Sequence, residues 1–255
     1  MHFFKVNEDK IRRKGMVIYK QSFCLSLFFL CLFILGAFWK FPHSTDPPHE
    51  IRVGVIDGVS TDPFNLVIKR RTYTQSAPEF TTHANLIWSL VSQGISPSKI
   101  RGFEYSVINQ KGEVHPQLFL KALEKAEQDQ VEIINFSGGF YLENEKIQKK
   151  IEEMTRHHII FVAAGGNHPQ GVADFPARMP QVIAVGSKNE TGPSPFSSTK
   201  KINLYAKGEK IRYKNKFYEG TSFATPKVTN QIIAYSLEHH VSLIKAKTQI
   251  LKDEN

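Results

Sequence analysis

Three polar residues have side chains that could take part in acid–base or nucleophilic chemistry. Asp57 ends the apolar run Ile51–Asp57. His83 directly precedes an apolar stripe at Ala84–Val91, and Ser222 lies where small residues lead into a helical pattern. A serine hydroxyl becomes a useful nucleophile when a histidine accepts its proton and a carboxylate orients that histidine. Structural interpretations are also open: Asp57 as a turn cap or metal ligand, His83 as a capping or packed histidine, and Ser222 as a helix N-cap.

The helical pattern after Ser222 has a chemical consequence. The first backbone N–H groups of a helix have no partner within it, and the helix dipole is positive at that end. An oxyanion that forms beside Ser222 could therefore be held there.

The elements that would position these residues alternate between short apolar runs and longer amphipathic segments. The runs predict buried strands at Ile51–Asp57, Val131–Phe136, Ile159–Ala164 and Val182–Val185, and the segments predict helices at His115–Gln128 and Glu143–His157. This alternation predicts an α/β fold, a three-layer α/β/α sandwich with a mostly parallel sheet. Functional groups gather beyond the carboxyl ends of such strands, which directs attention to Asp57, Ser137–Gly139 and Gly165–Asn167.

Six segments resemble, in order, the successive blocks of the subtilisin-like serine proteases. They are VGVIDG, the segment from His83, INFSGG, FVAAGGN, FPARMPQVIAVGS and GTSFATP, within about residues 51–237. GTSFATP is the most specific of them, whereas the histidine segment keeps little beyond His83 itself. The resemblance implies the subtilisin-like fold and a serine endopeptidase that hydrolyses peptide bonds in peptide or protein substrates.

The resemblance also implies roles for individual residues. Asp57, His83 and Ser222 would form the catalytic triad, and the Asn167 side chain would bind the oxyanion together with the Ser222 N–H. One glycine-rich segment would pair with an extended peptide, and another would form the floor of the pocket for the residue before the scissile bond. The first segment is Ser137, Gly138 and Gly139, and the second is Ala164, Gly165 and Gly166.

Other functional classes fit the sequence less well. An α/β-hydrolase would need an acid and then a histidine after Ser222, and that tail offers only Glu238 directly before His239 and His240. A nucleotide-binding domain would need a G-x-G-x-x-G or Walker A pattern, and neither is present. The net charge of +9 comes from scattered Lys and Arg residues, so no nucleic-acid partner is predicted. A catalytically inactive subtilisin-like fold that binds extended peptides remains the alternative.

Metal and cysteine chemistry are not predicted. The two cysteines, Cys24 and Cys31, both lie in the uncharged run Ser22–Trp39 near the N-terminus, so the rest of the chain has no thiol for a disulfide or a nucleophile. The histidines have no H-x-x-x-H spacing, and no loop of clustered carboxylates suggests calcium. We therefore expect an enzyme without metal or cofactor.

The N-terminal sequence predicts a membrane anchor. The run Ser22–Trp39 is uncharged and just long enough to span a bilayer at about 1.5 Å per helical residue. We predict a cytoplasmic basic segment at 1–20, a transmembrane signal-anchor at 21–39, a proline-rich linker at 40–50 and an extracytoplasmic catalytic domain at 51–255. Secretion after signal-peptide cleavage is the alternative, although no A-x-A site follows the run. No domain-sized segment lies between the predicted anchor and Ile51, so we expect no activation by removal of a folded prodomain.

Overall fold

The structure is a computed structural model, and it describes residues 50–62 and 65–253. The predicted cytoplasmic segment, the predicted anchor and all but the last residue of the predicted linker lie outside these residues. None of the described helices is both long enough and apolar enough to cross a membrane.

An eight-stranded sheet forms the centre of the fold. Its strands are β1 (Ile51–Asp57), β2 (Val67–Thr72), β3 (Ile100–Ser106), β4 (Ile133–Phe136), β5 (Ile160–Ala164), β6 (Ile183–Asn189), β7 (Gly192–Pro193) and β8 (Leu204–Lys207). The strand order is β2-β3-β1-β4-β5-β6-β7, with β8 also paired to β6, and only the β6–β7 pairing is antiparallel. The mostly parallel α/β prediction is therefore confirmed. A small antiparallel pair, β9 (Ile211–Tyr213) and β10 (Lys216–Tyr218), lies outside this sheet.

Helices cover both faces of the sheet. They are α1 (Pro78–Val91), α2 (Pro116–Gln128), α3 (Glu145–Arg156), α4 (Thr221–Glu238) and α5 (Leu243–Asp253). The two predicted helices correspond to α2 and α3, and their ends agree with the prediction to within two residues.

The apolar core has two parts, one on each face of the sheet, and the side chains of β1 point alternately into one part and the other. Val53 and Val55 belong to one buried cluster, which contains Trp88 of α1 and Ile232 of α4. Ile56 belongs to the other cluster, which the apolar side chains of α2 and α3 complete. Because successive residues of a strand point to opposite faces, one strand contributes to both clusters and three layers result.

Six strands were not predicted, namely β2, β3 and β7 to β10. In β2 and β3, charged residues interrupt the apolar pattern. Glu104 in β3 is fully buried. Its Oε1 accepts a hydrogen bond from Arg70 Nε of β2 at 2.6 Å, and its Oε2 accepts one from Trp88 Nε1 at 3.1 Å. A buried charge is tolerated when it is paired and hydrogen-bonded in this way, but the sequence pattern does not reveal the partners.

The register of the sheet places three predicted site segments at one edge. Strands β1, β4 and β5 are neighbours, and Ile56 pairs with Phe136, which pairs with Ala163. Asp57, Ser137 and Ala164 therefore leave the sheet at the same level. This edge lies at the carboxyl ends of parallel strands, the expected place for a functional site.

Candidate active site

Asp57 and His83 form a buried hydrogen-bonded pair. Asp57 is the last residue of β1 and is 1% exposed. Its Oδ1 accepts a hydrogen bond from the Gly58 N–H at 2.7 Å and lies 2.9 Å from His83 Nδ1. Because a carboxylate oxygen only accepts, this contact assigns the imidazole proton to Nδ1 and leaves Nε2 as an acceptor. The pair thus has the geometry that orients a histidine base.

The surroundings of the pair increase the affinity of the imidazole for a proton. Burial acts against the charged form of His83, but the negative charge of Asp57 and its hydrogen bond outweigh this effect, so the pKa of His83 is raised above its usual value. The side chain of His83 is 21% exposed, which leaves part of the ring open to a reacting group.

The position of His83 in its helix differs from the prediction. The sequence placed it at the N-terminal end of a helix that begins near Ala84, but α1 begins at Pro78 and His83 lies in its second turn. Proline at the first helical position needs no hydrogen-bond partner for its nitrogen, so the helix can start earlier than the apolar stripe. The tight contact of α1 with the aspartate turn requires a glycine there, because a Cβ on Gly58 would lie 2.8 Å from the Phe80 carbonyl oxygen.

Ser222 is the second residue of α4. The helix follows Gly220, whose φ of 144° lies in a region that favours glycine. The ring of Phe223 lies 5.3 Å from the His83 ring, centroid to centroid, so the start of α4 is next to the histidine. The serine hydroxyl, however, donates to the Ser137 carbonyl oxygen at 2.8 Å and not to His83. A rotation about the Cα–Cβ bond of Ser222 would be needed to redirect it.

Asn167 is tied to the start of the same helix. Its Oδ1 accepts hydrogen bonds from the Thr221 N–H at 3.0 Å and from Thr221 Oγ1 at 3.1 Å. A backbone N–H can only donate, so the amide oxygen must face Thr221 and Nδ2 remains as the donor. A Cβ on Gly220 would lie 3.5 Å from Asn167 Nδ2 and 3.8 Å from the Ser222 nitrogen. Two nitrogen atoms that can donate hydrogen bonds therefore lie near the space beside Gly220.

The two predicted substrate-binding segments follow neighbouring strands. Ser137, Gly138 and Gly139 continue β4 beyond its last paired residue, Phe136. Ala164 ends β5, and Gly165 and Gly166 follow it as buried backbone. The structure thus brings both segments to the edge that carries Asp57, as the sequence predicted from the strand ends.

Asp174 is a side chain at this site that sequence reasoning did not single out. A Cβ on Gly139 would lie 2.6 Å from Asp174 Cβ, and a Cβ on Gly166 would lie 2.3 Å from Asp174 Oδ2. Burial raises the pKa of the Asp174 carboxyl, although the charges of His168 and Arg178 and the hydrogen bond with His168 act in the opposite direction. The available signal was its position directly before the FPARMPQVIAVGS block.

Among residues 50–62 and 65–253, one group of side chains has the spacing of metal ligands. Glu127, Glu153 and His157 lie on or beside α2 and α3, with ligand atoms within 4.8 Å of one another. Lys150 Nζ already donates to both carboxylates. The cluster is therefore an ion-pair network in this structure, and it is separate from Asp57, His83 and Ser222.

Comparison with known proteins gives a family match. A sequence model of the subtilase family matches residues 73–250. Subtilisin Savinase from Lederbergia lenta is 26% identical over 197 residues, which cover 70% of this chain and 73% of Savinase. The matched family segment begins after Asp57, so the case for that residue depends on the sequence pattern and the local geometry.

Solved structures share the fold. The prenylagaramide maturation protease PagA superposes with a TM-score of 0.64 at 24% identity, covering 76% of this chain and 78% of PagA. A cold-adapted subtilisin-like serine proteinase gives a TM-score of 0.64 at 20% identity, covering 77% of this chain and 79% of that protein.

Proposed function

We propose that this chain is an endopeptidase with Asp57, His83 and Ser222 as its catalytic triad. The chain belongs to the subtilase family and is a subtilisin-like serine protease. The observation that carries this proposal is the 2.9 Å contact between Asp57 Oδ1 and His83 Nδ1, beside the start of the helix that contains Ser222. A buried carboxylate that fixes a histidine next to a serine is the arrangement that activates a serine hydroxyl.

The first chemical step requires the hydroxyl of Ser222 to turn from Ser137 towards His83. As the serine oxygen attacks the carbonyl carbon of the substrate, its proton passes to His83 Nε2 and the carbonyl oxygen becomes an oxyanion. Asp57 stabilises the imidazolium that forms, which is consistent with the raised pKa of His83. The C–N bond then breaks as His83 returns the proton to the leaving amine, and water hydrolyses the remaining ester by the same proton route.

The oxyanion would lie between two donors, the Ser222 N–H and Asn167 Nδ2. The N–H of Ser222 is in the first turn of α4, where no intrahelical acceptor exists, and the helix dipole adds a positive field. Asn167 is held by Thr221, so its amide needs no reorientation when charge develops. Preorganised donors of this kind stabilise the transition state more than the substrate.

The segment Ser137–Gly139 would hold the substrate backbone. It extends beyond the paired part of β4, and its backbone can form a ladder with an extended peptide once the Ser222 hydroxyl turns away from the Ser137 carbonyl oxygen. The small side chains leave room for that peptide next to Ser222. The substrate class is therefore a peptide or protein segment in extended conformation.

Labelling with a fluorophosphonate tests this proposal, because the probe reacts with an activated serine and needs no knowledge of the natural substrate. The full-length chain in detergent should be labelled and should hydrolyse a mixed peptide library. Ser222→Ala should abolish both, whereas the control Ser98→Ala, at an exposed position in the short 3-10 helix Pro97–Lys99, should change neither. An unlabelled wild-type chain that still binds extended peptides would support the inactive binding fold instead.

We also propose that residues 21–39 anchor the protein in a membrane with the catalytic domain outside the cytoplasm. The uncharged run and the preceding Lys and Arg residues support this topology. Extraction of membranes with alkaline carbonate should leave the chain in the pellet, and a mature N-terminus located after Trp39 would instead indicate a cleaved signal peptide.

A further inference from the structure

The carboxylate of Asp174 is placed between the two glycine segments by backbone hydrogen bonds. Phe140 and Phe175 bond to each other through both backbone groups, at 2.6 and 3.0 Å, so Asp174 is held next to Gly139. The Asp174 N–H also donates to the Gly165 carbonyl oxygen at 3.0 Å. These bonds fix the position of the residue independently of its side chain.

The side chain of Asp174 occupies the space that side chains on the two segments would otherwise fill. Its Oδ2 is 2.3 Å from the position of a Cβ on Gly166 and 3.1 Å from that of a Cβ on Gly139. Any larger residue at either glycine would collide with the carboxylate. A substrate side chain that enters between these segments would therefore meet Asp174.

The charge of Asp174 is poorly compensated within the protein. Its side chain is only 18% exposed, and its direct ionisable partner is His168, whose Nε2 lies 3.1 Å from Asp174 Oδ1. The His168 side chain is 55% exposed, so solvent weakens its pairing with Asp174. Arg178 is nearby, but its guanidinium donates to Glu143 and to the carbonyl oxygens of Ala173 and Tyr141. Burial without a strong cation partner leaves a carboxylate that gains from binding one.

We infer that Asp174 makes this protease select lysine or arginine as the residue before the scissile bond. This inference rests on the proposed function, because it assigns the substrate class of the same site. Lysine and arginine have long apolar stems that can lie against glycine backbone while the charged end meets the carboxylate. Aspartate and glutamate at this substrate position are disfavoured by like-charge repulsion.

The test uses peptides that are identical except at the residue before the scissile bond, which is arginine, lysine, norleucine, glutamine or glutamate. The full-length chain in detergent should cleave the arginine or lysine peptide with a kcat/KM about 10- to 100-fold above that for norleucine or glutamine, the scale of a partly buried charge pair. Asp174→Asn should remove this advantage, so that the ratio of kcat/KM between the basic and the norleucine peptides falls to about one. The control Glu145→Gln, a similar change of charge at an exposed position on α3, should keep the preference.

Two further measurements keep the test decisive. Asp174→Lys should shift the preference towards glutamate, an outcome that a merely structural aspartate would not produce. Peptidyl phosphonates with a basic or a norleucine side chain should label Ser222 at rates that follow the same order, which reports the preference even if turnover is slow. Labelling by a small fluorophosphonate shows that each variant is folded and active.

The results of these experiments distinguish a failure of the proposed preference for basic residues from a failure of the proposed protease function. A wild-type chain that is labelled and cleaves norleucine peptides as well as basic ones overturns this inference and leaves the proposed function intact. The same holds if Asp174→Asn keeps the basic preference. A wild-type chain that neither reacts with fluorophosphonate nor cleaves any peptide overturns the proposed function, and this inference with it.

Discussion

Replacement of Asn167 by alanine separates a catalytic amide from a structural one. The substitution removes Nδ2, the proposed oxyanion donor, and Oδ1, which accepts two hydrogen bonds from Thr221. Loss of one oxyanion donor in subtilisin itself lowers kcat by about 10²–10³, or about 2.7–4 kcal/mol, and we expect the same range here. The apparent affinity for substrate should change little, since the donor acts after attack by Ser222.

The effect of Asn167→Ala on the stability of the fold can be measured separately from its effect on kcat. Each lost hydrogen bond contributes about 0.5–1.5 kcal/mol to stability, and Asn167 is exposed, so the lower end of that range applies. Thr221→Val is the matched control, because it removes the Thr221 Oγ1 bond and leaves the amide Nδ2 in place.

The assay combines steady-state kinetics on one peptide with thermal unfolding of each variant. We expect Asn167→Ala to show a large loss of kcat and a small loss of stability, and Thr221→Val to show only a small loss of both. An Asn167→Ala protein that unfolds much more easily but keeps near-normal kcat when folded would refute the reasoning. The oxyanion would then be held by groups other than Asn167.

Two further predictions concern pH and stability. Since Asp57 raises the pKa of His83, kcat/KM should fall with decreasing pH through a midpoint above the ordinary histidine value of about 6.5. The pair should stabilise the fold most at pH values below that ordinary value, and this stabilisation should be lost as the pH rises through the raised pKa. A kcat/KM that still increases as the pH is lowered to about 4 would exclude a histidine base. Glu104→Ala should lower the free energy of unfolding by about 2–4 kcal/mol, because it leaves the buried Trp88 N–H without its partner and breaks the pair with Arg70. The control is Glu50→Ala, which removes the exposed ion pair between Glu50 and Arg101 and should lower the free energy of unfolding by at most about 1 kcal/mol. Both values can be measured by urea titration.

The sequence predicted those parts of the fold whose pattern is local. Apolar runs identified β1, β4, β5 and β6, and amphipathic segments identified α2 and α3. Strand β3 was missed because Arg101 and Glu104 interrupt its apolar residues, and the burial of Glu104 depends on a partner 34 residues earlier, Arg70. Long-range pairing of this kind leaves no periodic signal in either strand.

In the candidate site too, the features with a local sequence pattern were predicted and those that depend on long-range contacts were not. The strand ends indicated where Asp57 and the two glycine segments would lie, because the carboxyl ends of parallel strands share an edge. The pattern could not give the direction of the Ser222 hydroxyl, which depends on the Ser137 carbonyl oxygen across the site. Nor could it identify Asp174, whose position follows from the backbone pairing of Phe140 with Phe175. The roles of all these residues stay predictions until they are tested by substitution.

The central claim is that His83 activates Ser222, although the hydroxyl donates to Ser137 in this structure. The most direct test is to map the fluorophosphonate adduct by mass spectrometry and to compare its rate of formation in wild type, in His83→Ala and in the control His115→Ala, which changes an exposed histidine at the start of α2. We expect an adduct on Ser222 in wild type and in His115→Ala, and a rate lowered by about 10²–10⁴ in His83→Ala, the usual contribution of a general base. An adduct on another residue, or one that forms on Ser222 equally fast without His83, would contradict it.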